Sequence, residues 1–351
     1  MRRMIARFTA ILSCVLLVCV CASCGSAAAE SGEANAKEPG EEPVQIGVTF
    51  ESFVIERWER DRDIFVSTAK DLGASVNVQN ATGDVERQKE QIRYFIDKKT
   101  DVIVVIAVDC TALKKEVEEA HEADIPVIAY DRLILGSGVD LYISFDNGMV
   151  GKYMADAIMA ALPEGGRIIK INGPRKDHNV SLVNAGFDRE LNAAEGPYTI
   201  EDVYYASEWN GEEAFRYLGA NPQIADAADA VMCGNDSLAG QAIRYYAERR
   251  RAGRIPIVGQ DADLDACQRV VEGTQTMTVY KPIERLARRA AECAVQLAQG
   301  QEVNAAETMN DGISDVPYVS VAPIMVDRGN MDREIIDSGF HLREDVYLNA
   351  R

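Results

Sequence analysis

The sequence predicts an α/β protein: parallel sheets with helices on both faces, laid out as two βα domains in tandem. Three observations carry this. Aliphatic segments alternate with amphipathic ones at a regular beat, joined by short connections, which is the pattern of a parallel sheet. The segment DVIVVIAV (101–108) is nearly all aliphatic, as a strand covered on both faces must be. The beat restarts near 141, dividing about 300 residues into two domains of ordinary size.

In order, VQIGVTF (44–50) reads as a buried strand, followed by an amphipathic run to Leu72 that stops at Gly73. ASVNVQN is a strand and VERQKEQIRYFIDKK (85–99) a helix. After the strand at 101–108 come a helix, TALKKEVEEAHEA, and a strand, IPVIAY (125–130). The second set begins with LYISF (141–145) and a helix at 148–162. GRIIKI, IEDVYYA, ADAVMCG, RIPIVGQ and TQTMTVY (274–280) are its further strands. Helices at 180–193, 211–218, 237–250 and 263–272 separate them. The last strong helix, IERLARRAAECAVQLAQG, places Ile283, Leu286, Ala287, Ala290, Cys293, Ala294 and Leu297 on one face at i, i+3, i+4, i+7 spacing.

Ahead of this lies an export segment. MRRMIARF is a basic leader, and TAILSCVLLVCVCAS is apolar but short for a bilayer span. CASC resembles a lipoprotein cleavage box, so residues 1–23 are expected to be a signal peptide and Cys24 a lipidation site. The alternatives are a plain cleaved signal and an uncleaved anchor. Residues 24–43, small and acidic, form the anchor site and a flexible tether. The formal charge is −19; the first 23 residues hold three arginines and no acid, leaving −22 on the rest. Such a surface argues against a nucleic-acid partner. Cys110, Cys233, Cys267 and Cys293 are scattered singly and read as small buried hydrophobes, with no disulfide expected.

In open parallel sheets, ligands bind beyond the carboxyl ends of the strands. Those ends deliver Arg57 and Trp58; Asp131 and Arg132; Asp177 and Asn179; Trp209; Asn235 and Asp236; Asp261; and Lys281. Any one polar loop residue is ordinary, but this set includes both tryptophans of the chain. Carboxylates, amides and guanidinium groups pair sugar hydroxyls through charge-assisted hydrogen bonds, and indoles pack on the C–H faces. Trp209 is expected to stack on a sugar; Trp58 divides evenly between stacking and packing its helix on the lobe.

Phosphate-cradle, zinc and hydrolase-elbow motifs are absent from the sequence. DADLDACQRVVE (261–272) places acids at positions 1, 3, 5 and 12 of a calcium loop, but Ala266 occupies the glycine position. A helix start with acids favoured by its dipole is the expected reading, with Asp261 turned to the cleft and no metal or cofactor.

ERWERDRDIF, VIAYDRLI, YISFDN, GNDSLAGQAI, GQDADL and GTQTMTVYKPI together resemble the D-xylose-binding branch of the bacterial periplasmic sugar-binding proteins. The resemblance runs from about Val44 to near the C-terminus. It implies a type I periplasmic-binding-protein fold: two Rossmann-like lobes joined by a three-stranded hinge. The implied lobes are 44–146 with 282–316, and 147–281 with 317–351. It also implies sugar contacts at Arg57, Trp58, Arg132, Asn179, Trp209, Asn235, Asp261 and Lys281, with Asp131 and Asp177 in second rank. The loop PRKDHNV departs from the family's pattern at His178, where arabinose or glucose preference can arise. A further Trp, common in the family just upstream of Trp209, is missing. The implied function is capture of a monosaccharide, D-xylose first, for an ABC permease, with no bond made or broken. Ribose, or a sensory subunit presenting sugar to a receptor, are the alternatives; a glycoside hydrolase, which predicts turnover of an aryl xyloside, is a further rival, and a sugar-responsive repressor would need a helix-turn-helix head where this chain has an export signal.

Overall fold

The computed structural model describes residues 43–54 and 57–349. The expected signal peptide, Cys24 and the tether up to residue 42 lie outside the described residues. The element order is β1 (Gln45–Phe50), α1 (Arg57–Asp71), β2 (Ser75–Asn80), α2 (Val85–Asp97), β3 (Val102–Val105), α3 (Lys114–Glu122), β4 (Val127–Tyr130) and β5 (Leu141–Phe145). Then come α4 (Asn147–Ala161), β6 (Gly166–Asn172), α5 (His178–Ala193), β7 (Tyr198–Tyr205), α6 (Glu212–Ala220), α7 (Pro222–Ala227), β8 (Ala230–Cys233), α8 (Asp236–Glu248), β9 (Ile257–Gln260), α9 (Leu264–Glu272) and β10 (Met277–Tyr280). The chain closes with α10 (Ile283–Ala298), β11 (Glu307–Asn310), β12 (Asp315–Val321), β13 (Ile324–Val326), a π turn at Asp332–Ile336 and α11 (Arg343–Val346).

Two sheets result, ordered β11-β12-β5-β4-β3-β1-β2 and β13-β10-β9-β8-β6-β7. All pairings are parallel except β11 with β12 and β13 with β10. The central strands are buried on both faces, which is why they read as unbroken aliphatic runs. α10 returns to the first sheet: Leu286, Ala290 and Ala294 share a core with Val48, Val104 and Phe145. The chain passes between sheets after β5, after β10 and after β12. β12 stays paired with β5 through Val321↔Phe145, so the last passage falls after 321 rather than at the expected 317. The reason is local: Val316 and Tyr318 are buried against the first lobe's core. The C-terminal segment, through Met331, Ile335 and Val346, covers α9 and β10.

One close approach sets the geometry of the cleft. A Cβ on Gly151 of α4 would lie 1.9 Å from the Val183 carbonyl oxygen, and one on Gly186 of α5 would lie 2.0 Å from that of Gly148. The two helices therefore touch backbone to backbone, and only glycine permits it. The contact brings their N-termini together beside the passage after β5. Cys110, Cys233, Cys267 and Cys293 are buried and unpaired. The calcium-like acids have separate roles: Asp263 stands at the N-cap position of α9, Asp265 pairs with Arg269, and Asp261 faces Lys281.

Candidate functional site

Loops at the carboxyl ends of both sheets meet round a small cavity of about 30 Å3. Its lining is Arg57, Trp58, Asp131, Arg132, Asp177, Asn179, Trp209, Asn235, Gln260, Asp261 and Lys281. The structure brings ten of the eleven strand-end candidates together and adds Gln260; the eleventh, Asp236, is buried away from the lining, accepting from Gln275 and Thr278 at 2.7 Å each.

Local backbone chemistry aims these side chains. Asp177 caps α5, accepting from the Asn179 N–H, and Asn235 caps α8, accepting from the Leu238 N–H. Capping fixes each rotamer before any ligand arrives. Asp131 and Asp261 follow β4 and β9 with φ of 63° and 101°. This left-handed backbone is costly for a residue with a Cβ and concentrates at functional turns. Here it turns both carboxylates out of strand alternation and toward the cleft.

The first-lobe half is a chain of charges. Arg57 lies 3.0 Å from both Asp61 and Asp131. Asp61 also accepts a short hydrogen bond from the Tyr130 hydroxyl. Arg132 donates to the Ala107 carbonyl at 3.0 Å and reaches Glu51 at 3.4 Å. Its Nε sits 2.9 Å from Asp177, close enough for ion pairing but not aligned for a hydrogen bond. Trp58, 2% exposed, donates from Nε1 to Glu51 at 3.2 Å and carries the Arg57 guanidinium 4.4 Å above its ring. It packs in the first core, as one of its two expected roles has it, and also lines the cavity.

The second-lobe half answers across the cleft. Asn179 donates to the Asp131 carboxylate and carbonyl, both at 3.0 Å, and accepts from Asn147 at 3.0 Å. Trp209, half-buried, donates to Asp177 at 3.2 Å and lays its ring against Gly173. Lys281 stands 3.2 Å from Asp261. His178 is outside the lining; its Nδ1 faces the Ser181 hydroxyl at 3.3 Å.

These contacts set the charge states. Burial pushes the Asp131 carboxyl up, but Arg57, Lys281 and Arg132 outweigh it and hold it below the ordinary value. At Asp177 burial wins over Arg132, and the carboxyl is raised. The Arg57 and Arg132 guanidinium groups are held charged: burial opposes, and the facing acids prevail. The lobes also touch at the rim, where the Cys110 N–H donates to the Lys176 carbonyl at 3.0 Å. Arg60 reaches the Phe340 carbonyl at 3.1 Å. The described arrangement is therefore closed. Among the described residues, no group of three or more His, Cys, Asp or Glu is placed to hold a metal ion.

Sequence reasoning missed Gln260 and Glu51. Glu51 lies just past β1 and orients Trp58 and Arg132 without lining the cavity. Its place immediately after VTF was the available signal.

A family model described as "Periplasmic binding protein domain" matches residues 46–302. The D-xylose-binding periplasmic protein of Escherichia coli (strain K12) is 40% identical over 316 residues, 89% of this chain and 94% of that protein. The protein of the same description from Haemophilus influenzae is 39% identical over 307 residues, 87% of this chain and 92% of the relative. Among solved structures, a carbohydrate transporter solute binding protein from Chloroflexus aurantiacus, in complex with D-glucose, matches with a TM-score of 0.79 at 27% identity. The match covers 86% of this chain and 98% of that one.

Proposed function

The chain belongs to the periplasmic binding protein family, and from that premise we propose that it captures D-xylose outside the cytoplasmic membrane and presents it to an ABC-type permease. The observation that carries the reading is the lining of the cavity: three cations, three carboxylates, three amides and two indoles round one small void. A pyranose offers a rim of hydroxyls, each both donor and acceptor, and two C–H faces. The charged and amide groups suit the rim and the indoles suit the faces. The relatives at about 40% identity whose names specify D-xylose support that sugar first.

The chain's own residues account for capture and release. The first lobe offers Arg57, Trp58, Asp131 and Arg132; the second offers Asn179, Trp209, Asn235 and Asp261. Lys281 sits where the chain passes between the sheets. The proposed lobes are residues 44–146 with 282–321 and 147–281 with 322–351. A sugar held by both halves favours the closed state by its differential affinity for it. Closure joins the two rims into one composite surface, which is what the permease reads. Cys24 holds the protein to the membrane through a lipid, with residues 25–43 as spacer.

The test is calorimetric titration of residues 25–351 with D-xylose, D-ribose, L-arabinose, D-glucose and D-galactose. One-to-one binding, tightest for xylose, is expected. A tighter fit for another aldose removes the xylose assignment; no binding of any aldose removes the sugar reading.

A further inference from the structure

Gln260 ends β9, one residue ahead of Asp261, and is 5% exposed. Its Nε2 donates to the Gly234 carbonyl at 2.5 Å. That bond fixes which way the amide lies, because a carbonyl accepts only from the nitrogen. The Oε1 is thereby turned away from Gly234, in a residue that lines the cavity. It is the one fully buried acceptor of the lining that lacks a donor, among the described residues. Its neighbours are satisfied: both Asp177 oxygens, both Asp131 oxygens and the Asn235 and Asn179 carbonyls have partners. A buried acceptor left unmade is costly, so such atoms in native proteins usually mark a missing donor.

The backbone explains why a residue next to Asp261 shares its cavity. Successive side chains of a strand point to opposite faces. The left-handed φ of Asp261 breaks that alternation, so residues 260 and 261 both face the same void.

We propose that Gln260 is a sugar-contacting, specificity-determining residue whose Oε1 accepts a hydrogen bond from one hydroxyl of the bound aldose. The proposal rests on the sugar-capture reading and adds to it a contact that discriminates by the presence of one hydroxyl group. Satisfying Oε1 requires an O–H at one ring position; a sugar lacking it leaves the acceptor buried and unpaired. Sites built in this way reject the deoxy analogue more strongly than apolar pockets reject a changed methylene.

The experiment is a cycle of titrations: wild type and Gln260→Met, each with D-xylose and its monodeoxy analogues. Methionine keeps the length of the side chain and removes both amide atoms. The expected result is a Kd for xylose about tenfold or more higher in the variant. One deoxy analogue, bound about tenfold more weakly than xylose by the wild type, should bind the variant as well as xylose does. If every analogue is discriminated equally by both proteins, or the Kd for xylose is unchanged, the proposal is overturned. Should the variant fail to fold, a crystal of the wild-type sugar complex decides. Oε1 within hydrogen-bond distance of a hydroxyl supports the proposal, and Oε1 paired only with water or protein rejects it. Should the wild type prefer another aldose, that sugar's deoxy series replaces the xylose series. A wild type that binds no aldose sinks the capture reading as well, so the two failures are separable.

Discussion

Gly173 follows β6 and forms the floor under Trp209. A Cβ added there would sit 2.3 Å from Trp209 Cη2, 2.4 Å from Cζ3 and 2.5 Å from Cζ2, where ordinary contact begins at 3.4 Å. In Gly173→Ala the indole must therefore shift by about 1.1 Å, since the methyl meets a rigid ring and Gly173 has no positive φ to relieve. That shift lengthens the 3.2 Å bond from Nε1 to Asp177 beyond hydrogen-bond range and carries the ring toward the sugar's place. A hydrogen bond to a charged group contributes about 1.5–3 kcal/mol, so the Kd for xylose should rise roughly 10- to 100-fold. Calorimetric titration measures it, alongside Trp209→Ala and the double variant. Because Gly173 acts only through the indole, adding Gly173→Ala to Trp209→Ala should change the Kd less than about twofold. Unchanged affinity in Gly173→Ala, or full additivity in the double variant, would refute the reasoning that this ring is a wall of the site.

Asp131→Asn strips the central carboxylate from between Arg57 and Asn179, leaving a buried guanidinium short of one partner. Breaking such a pair costs about 3–5 kcal/mol; calorimetry should show a lower melting temperature together with loss of sugar binding. Asp236 gives a pH prediction. Burial raises its carboxyl to about 7 against the pull of Arg269, with Asp261 adding to the rise. The folded state thus keeps a proton that the unfolded chain releases above about pH 4, so stability from this group is present in acid and lost as pH rises toward 7. Melting temperatures of wild type and Asp236→Asn should diverge along that range, and parallel curves from pH 4 to 8 would contradict it. Cys24→Ser should move the protein from the membrane fraction to the soluble one, read by fractionation and immunoblot.

Much of this molecule was legible because its central strands are covered on both faces and its helices on one. Hydrophobic periodicity reports burial, so LYISF at 141–145 was read to the residue, and the helix of Ile283 through Leu297 was read from its apolar stripe. β11, β12 and β13 were not. ETMN is largely exposed, and DVPYVSV carries a proline and alternates a buried face with an exposed one, so neither gives an aliphatic run. The site was legible as a set of strand ends because parallel sheets put their loops on one side. Its pairings were not, since Arg132 with Asp177 and Asp131 with Asn179 join positions about 45 residues apart and from different sheets. Gln260 was hidden by a rule that usually holds: the residue before a site residue in a strand faces away. Only the positive φ at Asp261 reverses it, and alternation patterns carry no trace of that.

The central claim is that D-xylose is held between the two sheets by the strand-end residues. Its most direct test is a crystal structure of residues 25–351 grown with D-xylose. A single pentopyranose ring is predicted in the cavity, with Trp209 on one face, hydroxyls paired to Arg57, Asp131, Asn235 and Asp261, and the Cys110–Lys176 rim contact closed. A sugar found elsewhere on the molecule, or a cavity left empty at saturating xylose, would contradict the account.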